Sequence, residues 1–577
     1  MFYFKYMTIR WLYSLICVVF GLALLVGGLL LPAHLRALDA AVIRNAGRNG
    51  SALLESMQIA AGEKRLGTAQ QLLRAAQIAN IPDSEPAGTA FANLVRQNPD
   101  ALFWGDDARL ENIFANGFKL SDQNSSLADF IVREENRDTA LAHLGGSPNA
   151  AAQELLRSRS LTNTVIFSPS QSASGQAFDA AVSICGLLLD GGHLTAGMSN
   201  EICNVTTQAN RGGSSQPLEQ VLMDCLSLGE RFNWDQLTAF AGQIQNLDTL
   251  RRLADAARNA GEKLPVLFAA VQLSGQPDAV AKYLAKFPDT GMPDLGASLR
   301  YGAGGVRELA LRQQRFYDSS LERQVTAFYP FGRLFDFAAN LSFQNPWSAL
   351  AAKWFLYLLS GFFLAAAMHF AVPPLERQLQ VRGFHLLREF LFSLGFLLVV
   401  LLLSEPFLAQ DTQKGTFSLR LFPSTVGGAV PARIAGGQPT EKTVMSPTIL
   451  LTLLVFFVLQ ALIYISCLVK LAEIRRQRVP PRIKLKLLEN EDHLFDAGLY
   501  LGFVGTIISL IVASMGLIKF SLMAAYSSTS FGIIFVVIFK IFHLRPERRK
   551  LLLAAEAQNP AAEVYIPTVA PTSAVPS

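Results

Sequence analysis

The most regular feature of the chain is a set of six long apolar runs separated by polar segments. They cover residues 11–31, 349–372, 389–408, 447–470, 495–516 and 519–542. Each run reaches the about 20 mostly apolar residues that a helix needs to cross a bilayer. The first is longer than a signal-peptide core and lacks a clean small-x-small cleavage site, which indicates an uncleaved anchor. The pattern predicts an all-α, polytopic helical membrane protein with about six spans.

Clusters of Lys and Arg beside these runs predict the orientation. They lie in residues 5–10, 377–388, 470–486 and 545–550, which share one side of the membrane if there are six spans. Because short basic segments stay in the cytoplasm, both termini are predicted to be cytoplasmic. Residues 411–446 also carry four basic residues and argue mildly against this layout, although their charge is less dense.

This layout divides the chain into seven segments. They are a cytoplasmic N-terminus (1–10), an anchor (11–31), a large extracytoplasmic domain (32–347), a transmembrane hairpin (349–410), an extracytoplasmic Gly/Pro-rich loop (411–446), a three-span domain (447–553) and a cytoplasmic tail (554–577). The tail is rich in Ala, Pro, Ser and Thr and has almost no charge, which predicts disorder.

The segment 32–347 is long enough to bury its own core, and its patterning is mostly helical. Residues 247–261, LDTLRRLADAARNAG, repeat apolar positions at helical spacing and end in a helix-stopping glycine. Residues 263–288 predict two short helices around a Gly-Gln-Pro turn. We therefore expect an irregular stack of helical hairpins, because no strict repeat is present. Such a domain suits contact with a periplasmic protein or a merely structural role.

Composition supports a membrane protein and argues against several other classes. The chain is 51% hydrophobic and 16% charged, against about 25% charged in soluble domains. The basic residues flank apolar runs, which indicates membrane orientation rather than nucleic-acid binding. The chain has no Gly-Lys dipeptide and no HExxH, so neither an enzyme site nor a metal or cofactor site is predicted. His369 is interpreted as a packed histidine, and Glu405 as an acid that reaches water at a span end.

Five cysteines leave two alternatives open for the large domain. Cys17 and Cys467 fall in apolar runs, whereas Cys185, Cys203 and Cys225 lie in residues 32–347. The absence of a CxxC pair makes a zinc or redox site a weak interpretation. The three domain cysteines are either buried and reduced or, in an oxidising compartment, form one disulfide with one thiol left over.

The last two apolar runs carry the most distinctive polar residues. Residues 501–511 read LGFVGTIISLI, and residues 524–538 read AAYSSTSFGIIFVVI. The short connection between the runs predicts an antiparallel hairpin. Thr506 and Thr529 each lie about ten residues from the turn, so at about 1.5 Å per residue they are expected at similar depth.

Small residues on both helices predict close packing. They are Gly502, Gly505 and Ser509 on the first helix and Ala525, Ser528 and Gly532 on the second. Faces of this kind are normally packing surfaces between membrane helices. The four consecutive hydroxyl residues at 527–530 encircle their helix, however, and cannot all face one neighbour. Some of them are therefore expected to face a polar interior.

Residues 447–553 resemble the MotA/TolQ/ExbB proton-channel family, which typically has G-x-x-G-T-V in one helix and A-L-x-x-T-A-x-G-L in the next. The matching positions are Gly502, Gly505, Thr506 and, in the second motif, Ala525, Thr529, Gly532 and Ile533. The chain departs from the family pattern at Ile507 for Val, at Ser509 for an expected Gly, at Ala524 where some members carry Glu, and at Ile538 where Pro is typical.

The resemblance implies a bacterial inner-membrane subunit of a stator-type or TonB-Tol-type complex that couples the proton motive force to work on the cell envelope. Thr506, Thr529 and Ser528 would line the proton path. The subunit would form a homo-oligomer, a pentamer in the family, around a single-span partner with an intramembrane Asp. The alternative is a non-conducting membrane scaffold or receptor whose helical domain binds protein partners. Ala524 and Ser509 favour this alternative.

Overall fold

The computed structural model describes residues 2–48, 50–161, 164–167, 173–318, 331–371, 384–407, 447–514 and 522–557. Within these residues the chain is predominantly helical, as the apolar pattern predicts. It divides into two compact units. One is Pro32–Leu350, and the other combines the described residues of Met1–Leu31 and Ala351–Ser577.

The helices are numbered along the chain. The first is α1 (Phe2–Leu29), and the unit Pro32–Leu350 contains α2 (Ala40–Gly47), α3 (Leu53–Gly62), α4 (Leu66–Ile78), α5 (Ser84–Gln97), α6 (Ala101–Trp104), α7 (Ala108–Ile113), α8 (Leu127–Val132), α9 (Glu134–Gly145), α10 (Ala150–Arg157), α11 (Ala173–Asp190), α12 (Ala196–Asn210), α13 (Gln216–Gly229), α14 (Trp234–Ala241), α15 (Leu247–Ala260), α16 (Leu264–Ser274), α17 (Pro277–Lys286), α18 (Gly291–Leu299), α19 (Gly302–Arg312) and α20 (Phe331–Gln344). The remaining helices are α21 (Pro346–Ala371), α22 (Phe384–Ser404), α23 (Pro447–Arg476), α24 (Pro481–Asn490), α25 (Asp492–Phe495), α26 (Ala497–Ser514), α27 (Leu522–Phe539) and α28 (Arg545–Ala557).

Helix signals in the sequence set the ends of the helical hairpins in the domain. The helix predicted at residues 247–261 is confirmed as α15, which the Asn246 side chain caps by accepting the Thr249 N–H at 2.8 Å. It ends where Gly261 adopts a φ of +52°, a conformation that glycine adopts at little cost. The two helices predicted within residues 263–288 are confirmed as α16 and α17, separated by a turn at Gly275.

Two short strands were not predicted. β1 (Ala37–Asp39) and β2 (Arg315–Tyr317) pair in parallel and join the two ends of the domain, so the fold is not purely helical. The predicted disordered tail, residues 554–577, begins too early, because α28 continues to Ala557. The rest of the tail and the predicted loop 411–446 lie outside the described residues.

The five cysteines are free thiols, so the disulfide alternative is not found. Cys185 on α11 and Cys225 on α13 are buried, whereas Cys203 is partly exposed. The hydrogen bond with the Cys185 thiol, together with burial, raises the pKa of Cys225. A high pKa keeps this thiol protonated and unreactive.

The second unit contains a helix at each of the six predicted span positions. Among the described residues, four segments are long and apolar enough to cross a membrane: Ile9–Leu29, Pro346–Ala371, Leu453–Arg476 and Tyr526–Ala557. Residues Ala497–Ile507 form a shorter apolar stretch within α26. The composition of these helices supports a membrane protein, since exposed apolar surface of this extent needs a lipid environment.

Polar contacts order the first three of these helices. α1 packs antiparallel to α21. Ser14 donates to the Ala367 carbonyl at 2.9 Å, and Ser360 donates to the Gly21 carbonyl at 2.7 Å. α21 packs antiparallel to α22, where Ser393 donates to the carbonyl of Leu358. In each case a hydroxyl inside an apolar bundle has a backbone acceptor, which limits the cost of burying it.

Candidate functional site

The candidate site lies where α26 and α27 pack against each other. The hydroxyl oxygens of Thr506 and Thr529 are 2.5 Å apart. Both also lie near the carbonyl oxygen of Gly502, at 3.0 Å from Thr506 and 3.2 Å from Thr529. Each hydroxyl has one proton to donate and lone pairs to accept. Three close oxygens with two hydroxyl protons therefore allow more than one hydrogen-bond arrangement.

Glycines make this close approach possible. A Cβ atom at Gly502 would lie 2.8 Å from the Ser528 carbonyl oxygen, and one at Gly532 would lie 2.6 Å from the Gly498 carbonyl oxygen. Real Cβ atoms do not approach backbone oxygens this closely, so any larger residue would push α26 and α27 apart. Gly505 faces the Ser528 side chain, whose Oγ would be 2.8 Å from an added Cβ.

The four consecutive hydroxyl residues have different surroundings. Ser527 and Ser528 are buried, Thr529 is half-buried and Ser530 is exposed. Ser530 donates to the carbonyl of Tyr526 one turn earlier, at 3.1 Å. This local bond satisfies a hydroxyl at little cost. Only part of the hydroxyl run therefore faces the polar centre of the hairpin.

The structure brings together Thr506, Thr529, Ser528, Gly502, Gly505 and Gly532. The side chains of Ser509 and Ala525 lie outside the described residues. Gly502, Gly505 and Gly532 pack within the hairpin of a single chain, as the small residues on both helices predict.

The sequence reasoning missed Gln460, the polar residue of α23 that packs against the hairpin. Its side chain is only 2% exposed and donates from Nε2 to the Gly498 carbonyl at 3.1 Å. The Oε1 atom has no hydrogen-bond partner among the described residues. A cavity of about 10 Å³ lined by Gln460, Gly498 and Phe535 adjoins it, about the size of one water. A glutamine inside an apolar run is a signal that could have found this residue.

Ion pairs connect the ends of these helices on the basic side. Lys540, in the π-helical turn Lys540–Leu544 after α27, pairs with Asp496 at 2.7 Å. Lys470 of α23 pairs with Glu491 at 3.3 Å. Arg548 of α28 pairs with Asp492. The segment between α23 and α26 is thereby tied to the helix that follows α27.

A second cluster of ionisable side chains lies on α21 and α22. His369 Nδ1 is 3.6 Å from the Glu389 carboxylate, and its ring stacks on His385 with centroids 5.0 Å apart. Glu389 is only 4% exposed. The sequence treated His369 as a packed residue and did not connect it with Glu389. Glu405, which was expected to reach water, is instead buried with 7% of its surface exposed.

Comparisons with known proteins give no match: no protein-family model, no curated protein and no solved structure is similar to this chain.

Proposed function

We propose that the chain is a subunit of an energy-converting membrane complex in which Thr506 and Thr529 line a proton path. The contact between their two hydroxyl groups carries this proposal. A proton path through a bilayer needs polar groups at mid-depth that exchange hydrogen bonds without carrying a permanent charge. Two hydroxyls that share one carbonyl acceptor meet this requirement.

The arrangement of the helices around the pair supports the same function. α23 packs against α27 and contributes Gln460 near the hairpin. A three-helix module with a threonine on each of its last two helices is what the resemblance to the MotA/TolQ/ExbB family implies. In this proposal the half-buried side of Thr529 faces a single-span partner that carries an intramembrane Asp. Protonation and release of that Asp would transmit force to the cell envelope.

The topology belongs to the same proposal. All six apolar helices cross the bacterial inner membrane, both termini are cytoplasmic, and the Pro32–Leu350 unit is periplasmic. Several copies of the chain, five by resemblance, surround the partner. The ion pairs Lys540–Asp496 and Lys470–Glu491 then lie on the cytoplasmic side, where the positive-inside rule places the basic segments.

A specific observation favours a second function, a non-conducting scaffold or receptor. Thr506 and Thr529 bond to each other and to Gly502, so the hairpin satisfies its own hydroxyls. A helix pair that only packs shows the same arrangement. In this alternative the domain of α2 to α20 binds protein partners and the apolar helices anchor it.

Identification of the partner separates the two functions. The tagged full-length chain is purified in mild detergent from its own membrane, and the proteins that accompany it are identified by mass spectrometry. We expect a protein with one membrane span and an Asp near the start of that span. Cysteine cross-linking from position 529 to that span should succeed, whereas cross-linking from exposed Ile534, on the same helix, should be weaker. Purification without any such protein would favour the scaffold.

A further inference from the structure

A polar cleft in the helical domain is not used by the proposed function. It has a volume of about 490 Å³, within the range of small-molecule sites. Its walls come from α4, α6, α7, α14 and α16 and from the turn after α11. The residues that line it include Arg65, Trp104, Asp106, Arg109, His193 and Trp234.

One buried donor beside this cleft has no partner among the described residues. Trp104 is 2% exposed and stacks on Phe114 within an aromatic cluster. Its indole Nε1 nevertheless forms no hydrogen bond with any residue the structure describes. A buried N–H without an acceptor costs about 1–3 kcal/mol. Trp234, by contrast, donates its indole N–H to Asp107 at 3.1 Å. The Trp104 N–H is itself buried, so this side chain forms part of the cleft wall and offers no donor to a ligand.

Two arginines add unused donors. Arg65 donates from Nε to buried Asp235 at 3.2 Å, and Arg109 Nη2 forms an ion pair with buried Asp190 at 3.0 Å. A guanidinium has five N–H groups, so each arginine keeps donors for a ligand. Their carboxylate partners hold them in place, since Asp190 also accepts from Ser147 and His143. Donors of this kind recognise a carboxylate.

One acidic side chain in the cleft lacks a cation. Asp106 lines the cleft and is exposed, and no ion pair joins it to a described residue. Its neighbour Asp107 is engaged instead, accepting from the Leu110 N–H and from Trp234. The cleft therefore offers one free carboxylate together with the spare donors of Arg65 and Arg109. A ligand with an ammonium group and a carboxylate would pair with this carboxylate and with these donors.

The shape of the cleft argues against a neutral sugar. Sugars usually stack on an exposed aromatic face, whereas Trp104 and Trp234 are 2% and 1% exposed. Glycine maintains the fold there: Gly105 has a φ of +64°, and a Cβ at this position would lie 2.6 Å from the Asp235 carboxylate. Neither tryptophan therefore offers the exposed face on which a neutral sugar would stack.

We propose that this cleft binds a small zwitterion of the amino-acid or short-peptide class. Its carboxylate lies at Arg109 and Arg65, and its ammonium group lies at Asp106. The proposal does not depend on proton conduction, because every residue involved belongs to the Pro32–Leu350 unit. The domain would then report the presence of free amino acids or peptides.

Calorimetric titration of the full-length protein in detergent tests this proposal. The probes are the individual α-amino acids, a set of dipeptides, and two blocked forms of the best ligand: its N-acetyl derivative and its amide. We expect at least one zwitterion to bind, and each blocked form to bind roughly tenfold more weakly because it loses a charge-assisted hydrogen bond. Comparing amino acids with dipeptides separates the two ligand types. Binding should also change the fluorescence of Trp104 and Trp234.

Matched variants locate the binding. Asp106→Asn should weaken binding of the free zwitterion and leave binding of the N-acetyl form unchanged. Arg109→Gln should weaken binding of the free zwitterion and leave binding of the amide unchanged. Asp190 keeps Ser147 and His143 as partners in this variant. Asp289→Asn and Arg251→Gln make the same charge changes on exposed residues outside the cleft and should bind like the wild type. The absence of binding by every zwitterion up to about 10 mM, or wild-type affinity in both cleft variants, would overturn the proposal.

Discussion

The hydroxyl oxygens of Thr506 and Thr529 lie 2.5 Å apart, although the residues are 23 positions apart in the chain. They meet because α26 and α27 form a hairpin with glycines at its closest contacts. One turn before Gly502 on α26, the carbonyl of Gly498 accepts a hydrogen bond from Gln460 of α23. This polar centre within apolar helices is the basis of the proposed function, and the glycines around it give the first prediction.

Alanine at Gly532 or Gly502 should destabilise the hairpin. The added Cβ would lie 2.6 or 2.8 Å from a backbone carbonyl oxygen that cannot move alone. Overpacking of this kind costs about 1–3 kcal/mol. Thermal unfolding in detergent measures the change. Gly27→Ala is the control, because no atom lies within 4 Å of its added Cβ, and alanine should stabilise that helix slightly. Equal stability of Gly532→Ala and Gly27→Ala would show that the hairpin is not closely packed.

The six-span topology predicts which side of the membrane each polar segment faces. Cysteines introduced at exposed Arg211 and Arg478, in a chain without its native cysteines, can be labelled in intact cells with an impermeant reagent. We expect labelling of position 211 from the periplasm and labelling of position 478 only after the membrane is opened, because Lys and Arg clusters remain cytoplasmic. Outside labelling of position 478 would be incompatible with six spans.

The exposure of the polar residues around Thr529 predicts that several copies of the chain assemble. Thr529 is half-buried and its neighbours Tyr526 and Ser530 are exposed on α27. A proton path at this surface must be shielded from lipid, which further copies and a partner helix would provide. Native mass spectrometry of the detergent-purified protein should therefore detect a homo-oligomer, a pentamer by resemblance. A monomer with no larger species would remove the channel hypothesis and leave the scaffold.

The Pro32–Leu350 unit should lose stability in acid through Glu219. Burial alone would raise the pKa of this carboxyl, but the backbone N–H groups of Val165, Phe167 and Ile166 and the Ser215 hydroxyl outweigh burial and lower it below its ordinary value of 4.5. Because the folded pKa is the lower one, the stabilisation is complete above pH 4.5 and is lost as the pH falls through the folded value.

Glu219→Gln tests this linkage. At pH 7 the variant should be less stable by about 1.5–3 kcal/mol, the range for hydrogen bonds to a charged group. The difference between variant and wild type should shrink below pH 4.5 as the wild-type carboxylate becomes protonated. Denaturant unfolding monitored by tryptophan fluorescence at several pH values measures both. A difference that is independent of pH would mean that the charge of Glu219 does not stabilise the fold.

The sequence predicted the parts of the fold that local pattern determines. Apolar length placed helices at the six predicted positions, and Asn246 and Gly261 marked the ends of α15. The strands β1 and β2 were missed because three residues at each end of a long domain carry no periodic signal. Their pairing depends on how the intervening helices fold, which a local pattern does not contain.

The candidate site was predictable only where spacing determined it. The equal distances of Thr506 and Thr529 from the turn predicted their similar depth, and the contact confirms it. The positions of Gln460 and of the His369–Glu389 pair depend on how separate hairpins pack, so no spacing in the sequence relates them. The cleft with Trp104 is assembled from five helices and had no sequence motif.

The most direct measurement of the central claim compares threonine variants in cells from which the gene has been deleted. Valine keeps the β-branched shape of threonine but lacks its hydroxyl. Losing one intramembrane hydrogen bond costs about 0.6 kcal/mol, so Thr506→Val/Thr529→Val should assemble at normal level and oligomer size. Thr506→Ser/Thr529→Ser keeps both hydroxyls and serves as the control. We predict that the serine pair restores the process that deletion abolishes and that the valine pair does not. Full restoration by the valine pair would contradict the proton-path account.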